Sequence, residues 1–165
     1  MNKTVITIIA LITAGLLGLM WWGSTYQATP PDKNQLATKG QFIASETFYD
    51  FGTISMASGK VHKIFKITNP TDKDITIESV TTSCMCTSAF IVNGESRLGP
   101  FGMPGHGFVP KANEVIKARE TRDIDVVYDP AAHGPSGVGA VNRFVYLTDA
   151  TGATLQFEIK ANVTP

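Results

Sequence analysis

The sequence predicts an all-β protein: an antiparallel β-sandwich of about seven strands, preceded by an N-terminal transmembrane helix. Three observations carry this. After residue 41, apolar residues recur at every second position in short runs, the period of a half-buried strand. Gly, Pro, Asn and Asp separate the runs, and no stretch there has a helical period. Before residue 23 the chain is almost uncharged.

With 165 residues, the chain has room for one domain and a short appendage. Lys3 precedes "VITIIALITAGLLGLMWW", an uncharged run from Val5 to Trp22. Its length lies at the lower end of what crosses a bilayer and exceeds the ~7–15-residue apolar region of a signal peptide. Trp21 and Trp22 close it at a position suited to the membrane–water interface. No small-x-small cleavage pattern follows closely, since Tyr26 interrupts it in "TYQA". The reading is an uncleaved anchor over residues 1–23, with a removed signal as the alternative. Lys3 on the short side then predicts a cytoplasmic N-terminus. The protein would be single-pass in the cell membrane, its C-terminal domain extracytoplasmic or periplasmic. Residues 24–41, "STYQATPPDKNQLATKGQ", are polar, contain Pro30–Pro31 and lack periodicity. They read as a flexible tether, leaving residues 42–165 for the domain.

The strands follow in order. "ETFYDFG" gathers aromatic residues and stops at Gly52. In "KVHKIFKIT", Val61, Lys63, Phe65 and Ile67 alternate against His62, Ile64, Lys66 and Thr68. "NPTDKD" supplies a turn, with Pro70 fixing a dihedral and Asn69 able to bond its own backbone. "ITIESV" alternates Ile75 and Ile77 with Thr76 and Glu78. "RDIDVVYD", "NRFVYLTD" and "TLQFEIKANV" complete the set, the last two joined by a hairpin turn at "DATGA". Two insertions break this spacing. "NGESRLGPFGMPGHGFVPKAN", residues 93–113, and "DPAAHGPSGVGA", residues 129–140, have no strand pattern. Loops longer than ~12–15 residues are uncommon in compact domains and often functional.

Several functions are disfavoured at once. Basic and acidic residues balance at 14 each, with no cluster to form a nucleic-acid surface. Ser136 is the one loop serine flanked by Gly or Pro, and no Ser-His-acid spacing accompanies it. No phosphate-cradling glycine loop leads into a helix. No catalytic residue is assigned, and a non-enzymatic binding or structural module is expected.

"YDFGTI", "KITNPTDKDITIESVTTSCMCTS" and "ARETRDIDVVYDP" resemble, in this order, a bacterial family of unknown function. The resemblance covers roughly residues 46 to 164. It implies an immunoglobulin-like sandwich, similar to the major-sperm-protein and cilia-associated types, in a protein that is exported and often membrane-anchored. Phe51-Gly52, Asn69, Cys84-Met85-Cys86-Thr87 and Asp129-Pro130 match the pattern. Arg119-Glu120 stands where the family has Gly-Glu. No activity is implied.

Cys84 and Cys86 are the only cysteines. On an extended strand, residues two apart share a face, with Cα atoms ~6.5–7 Å apart. That is the wide limit for a disulfide, so the spacing argues against a stabilising staple. Burial as small hydrophobes remains open. A two-sulfur chelate fits the expected geometry, and thiolates select soft ions such as Cu(I), with Zn(II) second. "GMPGHG" places Met103 three residues before His106, and "AAHGPSG" supplies His133, all among glycines and prolines. Cys84, Cys86, Met103, His106 and His133 are therefore the candidate ligand set. Met85 is a weaker candidate, and His62 falls on the outer face of its strand. The expected partners are the membrane through residues 5–22 and an envelope protein, with no nucleic acid. The alternative to metal binding is a protein–protein interaction module of the envelope, its cysteines packing or forming a labile redox pair. A thiol oxidoreductase using Cys84 and Cys86 is disfavoured, because no helix N-terminus is expected there to lower a thiol pKa.

Overall fold

The computed structural model describes Thr13, which is helical, and residues 42–165. The anchor expected over 5–22 (Thr13 apart) and the tether over 24–41 lie outside the described residues. No helix among the described residues is long and apolar enough to cross a membrane.

Residues 42–165 form two five-stranded sheets. The ten strands are β1 (Ile43–Ala44), β2 (Phe48–Ser55), β3 (Val61–Thr68), β4 (Ile75–Thr82), β5 (Thr87–Asn93), β6 (Ser96–Phe101), β7 (Glu114–Ile116), β8 (Thr121–Tyr128), β9 (Gly139–Asp149) and β10 (Thr154–Thr164). One sheet has the order β1-β3-β8-β5-β6, the other β2-β10-β9-β4-β7. Every pairing is antiparallel except β2 with β10, which run parallel.

The expected all-β sandwich is therefore present, but with ten strands rather than about seven and with one mixed sheet. The added strands lack the alternation that marked the others. β6 lies inside the stretch 93–113, which showed no strand pattern. Its sequence "SRLGPF" is exposed up to Phe101, which is fully buried. It is an edge strand, where a proline removes no needed hydrogen bond, so neither face imposes a periodic pattern. Gly94, at φ 60°, closes the tight turn between Asn93 and Ser96.

The core forms where the inward faces of the sheets meet. Along β10, Leu155, Phe157, Ile159, Ala161 and Val163 are buried at every second position. Phe157 stacks on Phe65 of the opposite sheet with centroids 4.7 Å apart. Apart from Ala161, each such side chain stabilises the fold by roughly 1.5–3 kcal/mol through removal from water.

Where β4 begins, Asn69 is completely buried. Its Nδ2 donates to the carbonyls of Lys73, Ile116 and Lys117 at 2.7, 3.1 and 3.1 Å. Its Oδ1 accepts from the Thr71 backbone N–H and hydroxyl, and its own N–H reaches Glu120 O at 2.9 Å. Nearby Arg119 takes φ 65°. The turn therefore takes a left-handed residue at this position, where glycine would meet no Cβ penalty.

Where β4 ends, the chain crosses from one sheet to the other, because β4 and β5 belong to different sheets. The connection is the short turn that holds both cysteines. Thr87, the first residue of β5, pairs with Tyr128, the last of β8, so this crossing and the one after β8 lie at the same end of the sandwich.

Candidate metal centre

Thr82 anchors the turn. Its buried hydroxyl lies 3.0 Å from both Cys84 O and Thr87 O, and its N–H donates to Gly102 O at 3.1 Å. Ser83 exchanges two bonds with Phe144: its N–H donates to the Phe144 carbonyl and its Oγ accepts from the Phe144 N–H, each at 2.9 Å. Thr87 N–H then closes on Cys84 O at 3.1 Å. Satisfying these backbone groups inside a crossing requires a tight turn rather than an extended strand.

This corrects the strand-based reading of the cysteines. Their Cα atoms are 5.3 Å apart, within the usual range for a disulfide, and Cys84 and Cys86 are bonded to each other. The two sulfurs differ in setting. Cys86 is 3% exposed and belongs to the core, whereas Cys84 is half-buried.

Each sulfur has its own polar neighbour. His133 Nε2 lies 3.1 Å from Cys84 Sγ. Arg143 Nε donates to Cys86 Sγ at 3.1 Å, and Thr87 Oγ1 is 3.7 Å from the same sulfur. The ligand atoms of Cys84, Cys86 and His133 all lie within 4.8 Å of one another.

His133 is held there by the loop after β8. Thr87 pairs with Tyr128, the last residue of β8, so the next residue falls beside the turn and Asp129 N–H donates to Cys86 O at 2.8 Å. Asp129 Oδ1 accepts from Ala131 N–H at 2.9 Å, bending the chain back. A single 3-10 turn over Gly134–Gly137 follows, and the Ser136 hydroxyl donates to His133 O at 2.6 Å. Gly137 packs closely here: a Cβ would lie 3.3 Å from the His133 Cβ, tighter than ordinary contact. Beneath the site, Tyr128 is 2% exposed. Burial pushes its hydroxyl up from the ordinary value and Asp129 adds to this, while Arg143 opposes them.

Met103 and His106 lie elsewhere at the same end. β5 is flanked by β8 on one side and β6 on the other. The loop after β8 brings in His133, while the loop after β6 carries Met103 and His106. These two line a groove with Met85, Thr87 and Phe108. His106 is not in the cluster with the cysteines. His62 is exposed on its strand, 3.3 Å from Asp125.

Sequence reasoning passed over Arg143. A signal was available: Val141, Arg143, Val145 and Leu147 share one face of β9. A lone cation in that inward row marks a charge with a buried partner. Thr82 carried no comparable signal.

Comparison with known proteins places this geometry in context. Residues 42–95, which include Asn69 and both cysteines, match the family described as "Protein of unknown function (DUF1573)". No curated protein matches the chain significantly. A protein of unknown function from Porphyromonas gingivalis W83 shares the fold with a TM-score of 0.54 and 15% identity, over 78% of this chain and 49% of that one. A family 123 glycoside hydrolase from Clostridium perfringens gives 0.52 and 8%, over 73% and 23%. The ASH/PapD-like domain of human CEP192 gives 0.47 and 11%, over 84% and 94%. The chain thus spans about half the length of the P. gingivalis protein. The first two likenesses are of fold.

Proposed function

We propose that this protein is a membrane-tethered, extracytoplasmic immunoglobulin-like module that binds a soft metal ion, Cu(I) before Zn(II). Cys84 and Cys86 would be thiolate ligands and His133 the neutral third. The observation that carries this is the meeting of two sulfurs and an imidazole within 4.8 Å, two of them on the crossing turn and one from a separate loop. The disulfide must first be reduced, because a metal takes thiolates. Two thiolates on Cu(I) leave one net negative charge, and the Arg143 guanidinium beside Cys86 offsets it. Soft sulfur donors favour Cu(I). Zn(II) needs a fourth ligand to complete its tetrahedron, and the cluster provides three. Met103 and His106, on the other flank of β5, are not ligands in this reading.

The test is an anaerobic Cu(I) titration of the reduced full chain in detergent against a competing chelator. One tightly bound equivalent, lost in Cys84→Ser, supports the reading. Stoichiometric binding that survives replacement of both cysteines sinks it.

A second reading, docking of an envelope protein, is favoured by one observation. Phe108 is 90% exposed and Met85 54% exposed along the same groove, an apolar pairing typical of interaction sites. Substitution of Phe108 that leaves Cu(I) binding intact but releases a co-purifying envelope partner would favour it.

A further inference from the structure

The disulfide is chemically lopsided. In thiol–disulfide exchange a thiolate attacks one sulfur and expels the other, so rate depends on access to the first and charge stabilisation at the second. Cys84 is half-buried at the mouth of the crossing, next to exposed His133. Cys86 is 3% exposed, walled by the core on one side. An incoming thiolate therefore reaches Cys84 and not Cys86. The opposite asymmetry holds for the leaving group. Arg143 Nε–H already points at Cys86 Sγ from 3.1 Å, so negative charge arriving on that sulfur meets a guanidinium that need not move.

We infer that this end of the sandwich is a thiol–disulfide exchange site of fixed polarity, with Cys84 the attacked sulfur, Cys86 the leaving thiolate and Arg143 its positioning residue. The co-reactant is a dithiol outside the cytoplasm, either small or carried by a protein. Its first thiolate forms a bond to Cys84 Sγ as the Cys84–Cys86 bond breaks, and the electron pair stays on Cys86. Its second thiolate then attacks the first sulfur of the co-reactant, breaking the mixed disulfide and leaving the electron pair on Cys84. The dithiol is oxidised by two electrons to its disulfide, and Cys84 and Cys86 are left as two thiolates. In reverse, Cys84 attacks a partner disulfide and Cys86 resolves it. The exchange itself needs no metal. Its link to the metal reading is that it generates the two thiolates which that reading requires.

The test uses the full chain in detergent with a metal chelator present, so that metal binding plays no part. Cys86→Ser and Cys84→Ser, each keeping one thiol, are treated with oxidised glutathione, and mixed-disulfide formation is followed by mass. Cys84 in the first variant should react at least about tenfold faster than Cys86 in the second. Reduction of the native disulfide by dithiothreitol should slow about tenfold in Arg143→Gln and recover in Arg143→Lys, which keeps the charge. Equal reactivity of the two lone thiols would overturn the polarity. An Arg143→Gln protein reduced at the native rate would remove Arg143 from the step. A protein that exchanges with this polarity yet binds no Cu(I) sinks only the metal reading, and the converse result sinks only this one.

Discussion

β4 begins at one turn and ends at another, and the two have opposite chemistry. At its start, buried Asn69 uses its amide nitrogen, its amide oxygen and its backbone N–H on neighbouring segments. At its end, the backbone of the cysteine turn is equally well satisfied, but its side chains present two sulfurs to an imidazole and a guanidinium. The lesson is that buried polarity has two uses in this sandwich. Where hydrogen bonds consume all of it, the residue holds the fold together. Where soft donors are left facing an imidazole and a guanidinium, the residue is available for chemistry.

This contrast can be broken in both directions. The largest expected effect is on metal binding. Cys84→Ser should weaken Cu(I) binding by about two to three orders of magnitude, taking as a guide one ligand's share of the ~10–16 kcal/mol with which zinc-finger sites hold Zn(II). Competition with a chromophoric chelator reads this directly. Next is Asn69→Ala, which strips the Lys73, Ile116 and Lys117 carbonyls of their donor. It should destabilise the fold by about 3 kcal/mol in urea unfolding, with Cu(I) affinity unchanged in whatever fraction remains folded. If Asn69→Ala altered metal affinity, or Cys84→Ser collapsed the fold, the two ends would not be functionally separate.

A finer comparison lies within the site itself, across the flanks of β5. His133→Ala should lower Cu(I) affinity by about 10–100-fold. His106→Ala, in the groove with Met85, should change it by no more than about twofold, as expected of independent positions. Equal losses would mean that both flanks share one ion. The smallest effect belongs to Arg119. Glycine there relieves about 1–2 kcal/mol of left-handed strain and loses about 0.4–1 kcal/mol through a more flexible unfolded chain. Arg119→Gly should therefore stabilise the protein by roughly 0.5 kcal/mol, visible as a small rise in the urea midpoint.

Legibility followed periodicity. β3, β8, β9 and β10 were readable because one face of each is buried and the other meets water, which imprints a period of two on the residues. β6 was not, because an edge strand exposed on both faces imprints nothing. The disulfide was missed for a related reason. The assumption of an extended strand through "TTSCMC" stretched the Cα separation, whereas the sheet crossing contracts it to 5.3 Å. Asn69 and the Arg119 position were legible as motif positions, while the bonds and dihedral that explain them were not.

The sequence alone determined the layered β architecture, the candidate soft donors and the family resemblance, because each is written in local pattern and residue type. The tertiary structure decided which donors meet. Met103 and His133, seventeen and forty-seven residues from Cys86, look equally eligible along the chain. Strand order puts the loop after β8 beside the cysteines and the loop after β6 on the other flank. That choice arises from hydrogen-bonded pairing between distant strands, which local sequence does not encode.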